Sequence, residues 1–483
     1  MTALTRPFIP RDGARFPVWF ALVTYVVSFG AMLLIGDYRI WDDAATYVNA
    51  DSGAQMFDEA GSTPLRTWLE FDVLRANPVL FRLVTLVAYF FAAWLFHGIL
   101  RRTPGISVMQ ARVAALLFLV APVNSARIAM IMTFTAVSIV LFVAGWRLLI
   151  ERRSLARILG IAALGIGVTA PALQPMILLP VAHLLYVAWK SGADYRRATF
   201  WTPLVLLLLP VLAELLQTYV WPPDGSYEQY YAIRLVGVVR ASFVLALALM
   251  LLLAHWYRRH RSGDATLSML LSSIGIVILA IGAFPYIVGG HLTRTAGWLL
   301  PMVPEHSDWD SRHTALFGLG IGVIGAGFVG RSAEGDATRT PLVTRGVALT
   351  LSLFVFLNAI FSIEYLRDVI EKRDFVAEVA GTVDLTGVQS LVIRDWSAGI
   401  DARGRSIRDA EWLYLLDEAG WGETEYVYRS GYTDCNPMPP THALVIASTT
   451  GSLATLLRRD TDLWVKVEPY DEKEYGTVIT CEQ

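Results

Sequence analysis

Apolar runs long enough to span a bilayer recur along this chain almost to residue 365, and no other feature constrains the fold as strongly. They cover Pro17–Ile35, Pro78–Leu100, Ser107–Val123, Ile128–Ile150, Leu155–Ala170, Ala172–Trp189, Phe200–Tyr219, Leu235–Tyr257, Ala265–Pro285, His313–Val329 and Leu342–Ile363. The fifth and sixth are separated only by Pro171-Ala-Leu-Gln-Pro175, which reads either as a tight hairpin or as a kink in one segment. Hydrophobic residues make up 55% of the 483 positions and charged residues 17%. A soluble domain would carry about a quarter charged residues. The expected fold is therefore a polytopic α-helical membrane protein of about 11 transmembrane helices. The first run is too long for a signal peptide and ends in Gly36-Asp37, so it is expected to remain as a span.

Charge placement orients the chain. Arg6, Arg11 and Arg15 precede the first span, and basic residues recur at Arg101-Arg102, Arg152-Arg153, Arg157, Lys190, Arg196-Arg197, Arg258-Arg259, Arg261, Arg331, Arg339 and Arg345. With this count of spans all fall on one side, which the positive-inside bias makes cytoplasmic. The N-terminus is then cytoplasmic, in a multi-pass protein expected in a bacterial inner (plasma) membrane. The opposite, outer side receives the acidic loop 36–77, the loop 286–312 and the C-terminal tail. A transmembrane domain, 1–365, is expected to precede a soluble extracytoplasmic α/β domain, 366–483. In that tail Ser390-Leu-Val-Ile-Arg, Glu425-Tyr-Val-Tyr and His442-Ala-Leu-Val-Ile-Ala read as strands, and Arg405–Ala419 and Ser452–Arg459 as helices. Cys435 and Cys481 are the two cysteines; on the outer side they read either as a disulfide or as two thiols. The net charge of −2 gives no field that would attract nucleic acid, so no such partner is expected.

The chemistry-bearing residues concentrate on the outer side. The first span leaves the membrane and meets Asp37, Arg39, Asp42 and Asp43 within eight residues. Most acidic residues of such a loop are simply solvated. Asp42-Asp43 is hemmed by Ile40, Trp41 and Ala44-Ala45, and two adjacent, partly desolvated carboxylates favour a proton-accepting role. A second cluster holds His291, Arg294, His306, Asp308, Asp310, Arg312 and His313; Arg127 and Arg234 reach the same face. Guanidinium forks suit phosphate oxygens, so Arg294, Arg312, His291, His313, Arg127 and Arg234 are candidate phosphate-binding residues. An arginine at headgroup depth also reads as snorkelling or as a partner for membrane lipid. No H-E-x-x-H or similar spacing is present, so a metal site is unassigned and a divalent cation stays open. Within the spans Glu214 and Arg240 stand out, because intramembrane charge is costly.

A first span that ends in a long outer loop with an acidic pair, followed by re-entry at Asn77-Pro-Val-Leu-Phe-Arg82, resembles the GT-C superfamily of membrane glycosyltransferases. The many spans and the soluble C-terminal domain fit the same resemblance, whose sharp part covers residues 36–82. The resemblance implies a polyprenyl-phosphate-linked sugar as donor, reaction at the outer (periplasmic) face, and Asp42 or Asp43 as the catalytic acidic residue. It implies inverting transfer of one sugar to an acceptor hydroxyl on a glycan, a glycolipid or a protein, as in glycosylation of the cell envelope. This chain carries Asp-Asp where several members carry Asp-Glu or Asp-x-Asp, which leaves subfamily and sugar open. The chain carries no W-W-D-Y-G motif and no G-x-G-x-x-G or Walker sequence in the context a nucleotide site requires. Two other classes compete. A cell-envelope glycan polymerase or ligase would rest on arginines and histidines of outer loops. A flippase-type transporter would show paired repeats with broken helices, for which Pro171 and Pro175 give one half only.

Overall fold

The computed structural model describes residues 15–40, 43–47, 50–151, 153–191, 200–222, 234–259, 264–288, 314–333, 340–395, 407, 409–421, 426–429, 440–448 and 463–471. Eight described helical stretches are long and apolar enough to cross a membrane, and three apolar helices are shorter. Each of these helices overlaps an expected span, and the eight long ones make the protein a polytopic helical membrane protein.

The helices, in chain order, are α1 Val18–Phe29, α2 Asp43–Thr46, α3 Ala50–Glu59, α4 Pro64–Thr67, α5 Pro78–Leu100, α6 Val108–Val120, α7 Thr133–Leu149 and α8 Ser154–Gly167. They continue with α9 Leu178–Ser191, α10 Thr202–Tyr219, α11 Arg234–Arg259, α12 Asp264–Val288, α13 Phe317–Ala333, α14 Thr340–Thr382 and α15 Asp409–Glu418. The starts of α5 and α6 are legible in sequence. Asn77 caps α5 by accepting from Val79 N and Leu80 N ahead of Pro78, and Ser107 with Gln110 forms a capping box on α6.

Two of the shorter helices, α6 and α13, lie inside the bundle, where a helix need not match the bilayer thickness. Small residues allow it. A Cβ on Gly275 of α12 would lie 2.7 Å from the Gly320 carbonyl oxygen, and one on Gly322 would lie 2.4 Å from that of Ala114. The glycines of α13 therefore seat it between α6 and α12 by backbone contact, as close membrane packing requires. Interhelical bonds add direction: Gln110 Nε2 donates to Ala326 O at 3.1 Å and Asn358 Nδ2 to Val120 O at 2.8 Å.

The Pro171–Pro175 interruption is a hairpin. Helix α8 starts beside Glu151, to whose carbonyl Arg157 Nε donates at 3.1 Å, and Tyr186 near the end of α9 donates to Pro104 O at 3.0 Å. Residues 104 and 151 lie at one end of the bundle, since Arg102 pairs with Glu151 at 2.5 Å. Arg112 donates to Arg15 O at 3.0 Å, which brings the N-terminal segment to that same end. We call it the far end; the loop 36–77 marks the loop end.

Helix α14 runs 43 residues, about 64 Å at the helical rise, and must project well beyond a hydrocarbon core about 30 Å thick. The expected domain boundary at 365–366 falls inside it. No proline or glycine interrupts the stretch from Glu364 to Ala380, Arg367 and Glu371 pair at 2.6 Å one turn apart, and Val369, Phe375 and Val379 bury one face. Beyond it lies a four-stranded sheet of β1 Ser390–Asp395, β2 Tyr426–Arg429, β3 His442–Ser448 and β4 Leu463–Pro469, in the order β2-β1-β3-β4. β1 runs parallel to β2 and β3, and β4 antiparallel to β3. The unbroken apolar runs of β1 and β3 are what central strands covered on both faces need. Sequence reading finds the first three strands and misses β4, although Leu463, Val465 and Val467 alternate with Trp464, Lys466 and Glu468. Helix α15 falls inside the expected Arg405–Ala419; Ser452–Arg459, Cys435 and Cys481 lie outside the described residues.

Candidate active site at the loop end

The acidic loop is not an open solvated segment but a folded cap. Helices α2, α3 and α4 and the turn Trp68–Val73 close around Tyr47, Phe57, Phe71, Leu74 and Phe81. Tyr47 stacks on Phe71 with centroids 5.5 Å apart and meets Phe81 edge-on at 5.1 Å. Gly53 permits the closure, because a Cβ there would lie 2.1 Å from the Thr46 carbonyl oxygen.

The Glu70 carboxylate is buried within this cap. Glu70 accepts from Tyr47 Oη at 2.7 Å and from Arg66 Nε at 3.1 Å, and the Arg66 guanidinium lies 4.2 Å from the Phe57 ring centre. Burial pushes the Glu70 carboxyl above its ordinary range, against the opposing pull of Arg66 and Tyr47. Burial, then the nearby Glu70 charge, likewise holds the Tyr47 hydroxyl well above its usual value.

The junction between the first span and the cap hangs on Arg82. This residue lies one turn inside α5 and is 2% exposed. Its Nη1 donates to Gly36 O, its Nη2 to Tyr38 O, and its Nε to Ile128 O at 3.3 Å. One guanidinium thus fixes the path of residues 36–38 and ties it to the chain before α7. Gly36 allows the bend, with φ +69°.

Asp43 follows from that path. It is fully buried, its Oδ2 accepts from Met130 N at 2.7 Å, and its Oδ1 accepts from Ile131 N at 3.2 Å. These amides open the short 3₁₀ turn that leads into α7, so the carboxylate caps a helical segment from another part of the chain. Each oxygen is already engaged by a backbone donor. Asp42, its chain neighbour, lies outside the described residues.

The C-terminal region meets the same end. Lys372 of α14 pairs with Glu411 of α15 at 2.7 Å, both buried, and Phe375 meets Trp412 edge-on at 5.4 Å. Tyr38 packs against Tyr414 at 5.9 Å, the Arg39 guanidinium lies 5.7 Å from the Tyr414 ring, and Arg373 pairs with Asp37 at 2.8 Å. Burial first, then the Glu418 charge, pushes the Tyr414 hydroxyl up to about 12, with Arg39 opposing.

The expected phosphate-binding residues divide. Arg127 is buried inside the bundle: its guanidinium lies 4.1 Å from the Phe29 ring and 4.6 Å from that of Tyr89, and its Nε donates to Asn124 O at 2.8 Å. Its Nη1 has no hydrogen-bond partner among the described residues. His291, Arg294, Arg312 and His313 lie outside the described residues, as do the side chains of Arg234 and Arg240. Glu214 is half-buried on α10. Among the described residues no group of three or more His, Cys, Asp or Glu side chains is placed to hold a metal ion.

Arg82, Glu70 and the Lys372–Glu411 pair escape the sequence reading as site residues. Arg82 carries a usable signal, a cation one turn inside an apolar span. The Lys372–Glu411 pairing joins positions 39 apart with no local spacing to mark it. Searches against known protein families and against curated proteins find no match to this chain.

Proposed function

We propose that this chain is a membrane glycosyltransferase of the GT-C type, crossing the membrane eleven times. In this reading it transfers one sugar from a polyprenyl-phosphate donor to an acceptor hydroxyl at the loop end, which faces away from the cytoplasm of a bacterial inner membrane. The observation that supports it is the arrangement of residues 36–82. The acidic pair follows a segment pinned by Arg82, and Asp43 is locked in place by Met130 N and Ile131 N. A base must be held in fixed geometry to take a proton in the transition state. Asp43 supplies the anchorage, and Asp42 is the proton acceptor. It removes the acceptor's hydroxyl proton while that oxygen bonds to C1 of the sugar. The bond from C1 to the phosphate oxygen breaks on the opposite face, and the electron pair leaves on polyprenyl phosphate. Arg294, Arg312, His291, His313 and Arg234 neutralise that phosphate. Arg127, buried between Phe29 and Tyr89, acts as a positioning residue. The C-terminal region, which reaches this end through Tyr414 and Glu411 of α15, shapes the acceptor site.

The test is donor consumption. Full-length protein in lipid vesicles is incubated with a panel of polyprenyl-phosphate sugars and an extract of envelope glycans, and free polyprenyl phosphate is measured. The expected result is release with one donor, with transfer inverting the anomeric carbon. Use of a nucleotide sugar instead, or movement of a donor across the vesicle without cleavage, would overturn the reading.

A further inference from the structure

At the far end, opposite the cap, the bundle encloses a cavity of about 820 Å³ between α5, α7, α9, α11, α12 and α13. Its lining runs from Leu178 to Trp189 on α9 and from Leu247 to Arg258 on α11. Each stretch covers about 16 Å of helix axis, close to half of a hydrocarbon core about 30 Å thick. The cavity therefore has the depth of one leaflet.

The polar groups in its wall are bound to one another. Trp146 Nε1 donates to His183 Nδ1 at 2.9 Å, which leaves the ring proton on Nε2 to reach Thr103 Oγ1 at 2.8 Å. Thr103 Oγ1 in turn donates to Ile99 O at 3.0 Å. The interior so presented is apolar, set by Phe96 and the leucines of α9, α11 and α12. Leu185 and Leu251 both line the cavity and are more than half exposed on the outside of the bundle, so it opens sideways toward lipid. At its mouth stand Trp189, Tyr257 and Arg258, with the Lys190 ammonium 4.7 Å from the Trp189 ring. Aromatic rings with basic groups beside them mark headgroup depth and attract negative charge.

We infer that this cavity is a binding site for an anionic glycerophospholipid of the far-end leaflet, with an acyl chain along α9 and α11 and its phosphate at Arg258 and Lys190. The depth fits a single-leaflet chain, the sideways opening admits it from the membrane, and the basic mouth complements the headgroup. The site is independent of the sugar-transfer reading, since it shares no residue with the loop end.

Native mass spectrometry of the full-length protein with added phosphatidylglycerol, phosphatidylcholine of the same chains, or polyprenyl phosphate tests it. Phosphatidylglycerol is expected to be retained in preference to the other two. Ala182→Phe fills the cavity and Leu251→Trp narrows its rim; each excludes a few methylenes and weakens binding about tenfold. Arg258→Gln removes the preference for the anionic headgroup while chain binding persists. Leu251 faces lipid, so the rim variant carries the test if Ala182→Phe fails to fold. Equal retention by wild type and the rim variant overturns the site. Equal retention of phosphatidylcholine overturns the headgroup assignment, and preferential retention of polyprenyl phosphate assigns the cavity to the isoprenoid instead.

Discussion

At the loop end the buried polar groups hold chain segments together: Arg82 binds three carbonyls, Asp43 caps the entry to α7, and Lys372 pairs with Glu411 across two elements. At the far end Trp146, His183 and Thr103 satisfy one another within the cavity wall and leave an apolar space open to the bilayer. Both sets face the same cost of burying polar groups. The first uses it to fix backbone positions, as the proposed reaction site would require. The second removes polarity from a surface, as the inferred lipid site would require. Hydropathy alone does not separate the two ends; what separates them is where the buried hydrogen bonds go.

The largest expected effect falls on the Lys372–Glu411 pair. Lys372→Met leaves the Glu411 charge buried without its cation and should destabilise the junction by about 3–5 kcal/mol. The double variant Lys372→Met with Glu411→Met should recover most of that loss, read as melting temperature. A single variant as stable as wild type would show that this pair does not hold the loop end together.

Next is Arg82→Lys, which keeps the charge and removes the fork that reaches three diverging carbonyls. Loss of one or two charge-assisted bonds costs about 1.5–3 kcal/mol each. Amide exchange should rise in residues 36–40 and stay unchanged at Thr103–Ile106 of the far end. A uniform rise at both ends would erase the contrast between them.

The smallest effect is a pH dependence. The Glu70 carboxyl titrates above its ordinary 4.5 in the folded cap because burial disfavours its charge. Between 4.5 and the raised value the folded state holds more protons than the unfolded state. The Glu70 contribution therefore lowers stability as pH rises through that window. Glu70→Gln, which retains a partner for Tyr47, should flatten this part of a plot of melting temperature against pH.

The membrane elements were legible because span length and apolar content are local properties. The starts at Asn77-Pro78 and Ser107-Val-Met-Gln110 could be read in the same way. The hairpin at Pro171–Pro175 could not be told from a kink, because only the far-end contacts of Arg157 and Tyr186 decide it. Helix α14 outran its apolar stretch because its outer half is amphipathic and has no stop before Gly381. At the site, sequence singled out Asp42-Asp43 as a pair but could not divide their roles. The anchorage of Asp43, on which the proposed division rests, depends on Met130 and Ile131, 87 and 88 residues away. The position of Arg127 after a span points it to phosphate, whereas its placement between Phe29 and Tyr89 is a tertiary fact.

The division of labour within the acidic pair is the centre of this account, and two variants measured side by side test it. Asp42→Asn should lower release of polyprenyl phosphate about 10²–10⁴-fold, the usual contribution of a general base, while the melting temperature stays at the wild-type value. Asp43→Ala should remove the cap on the α7 segment and cost about 0.5–2 kcal/mol, seen as a lower melting temperature. Wild-type turnover by Asp42→Asn, or wild-type stability of Asp43→Ala, would contradict the account.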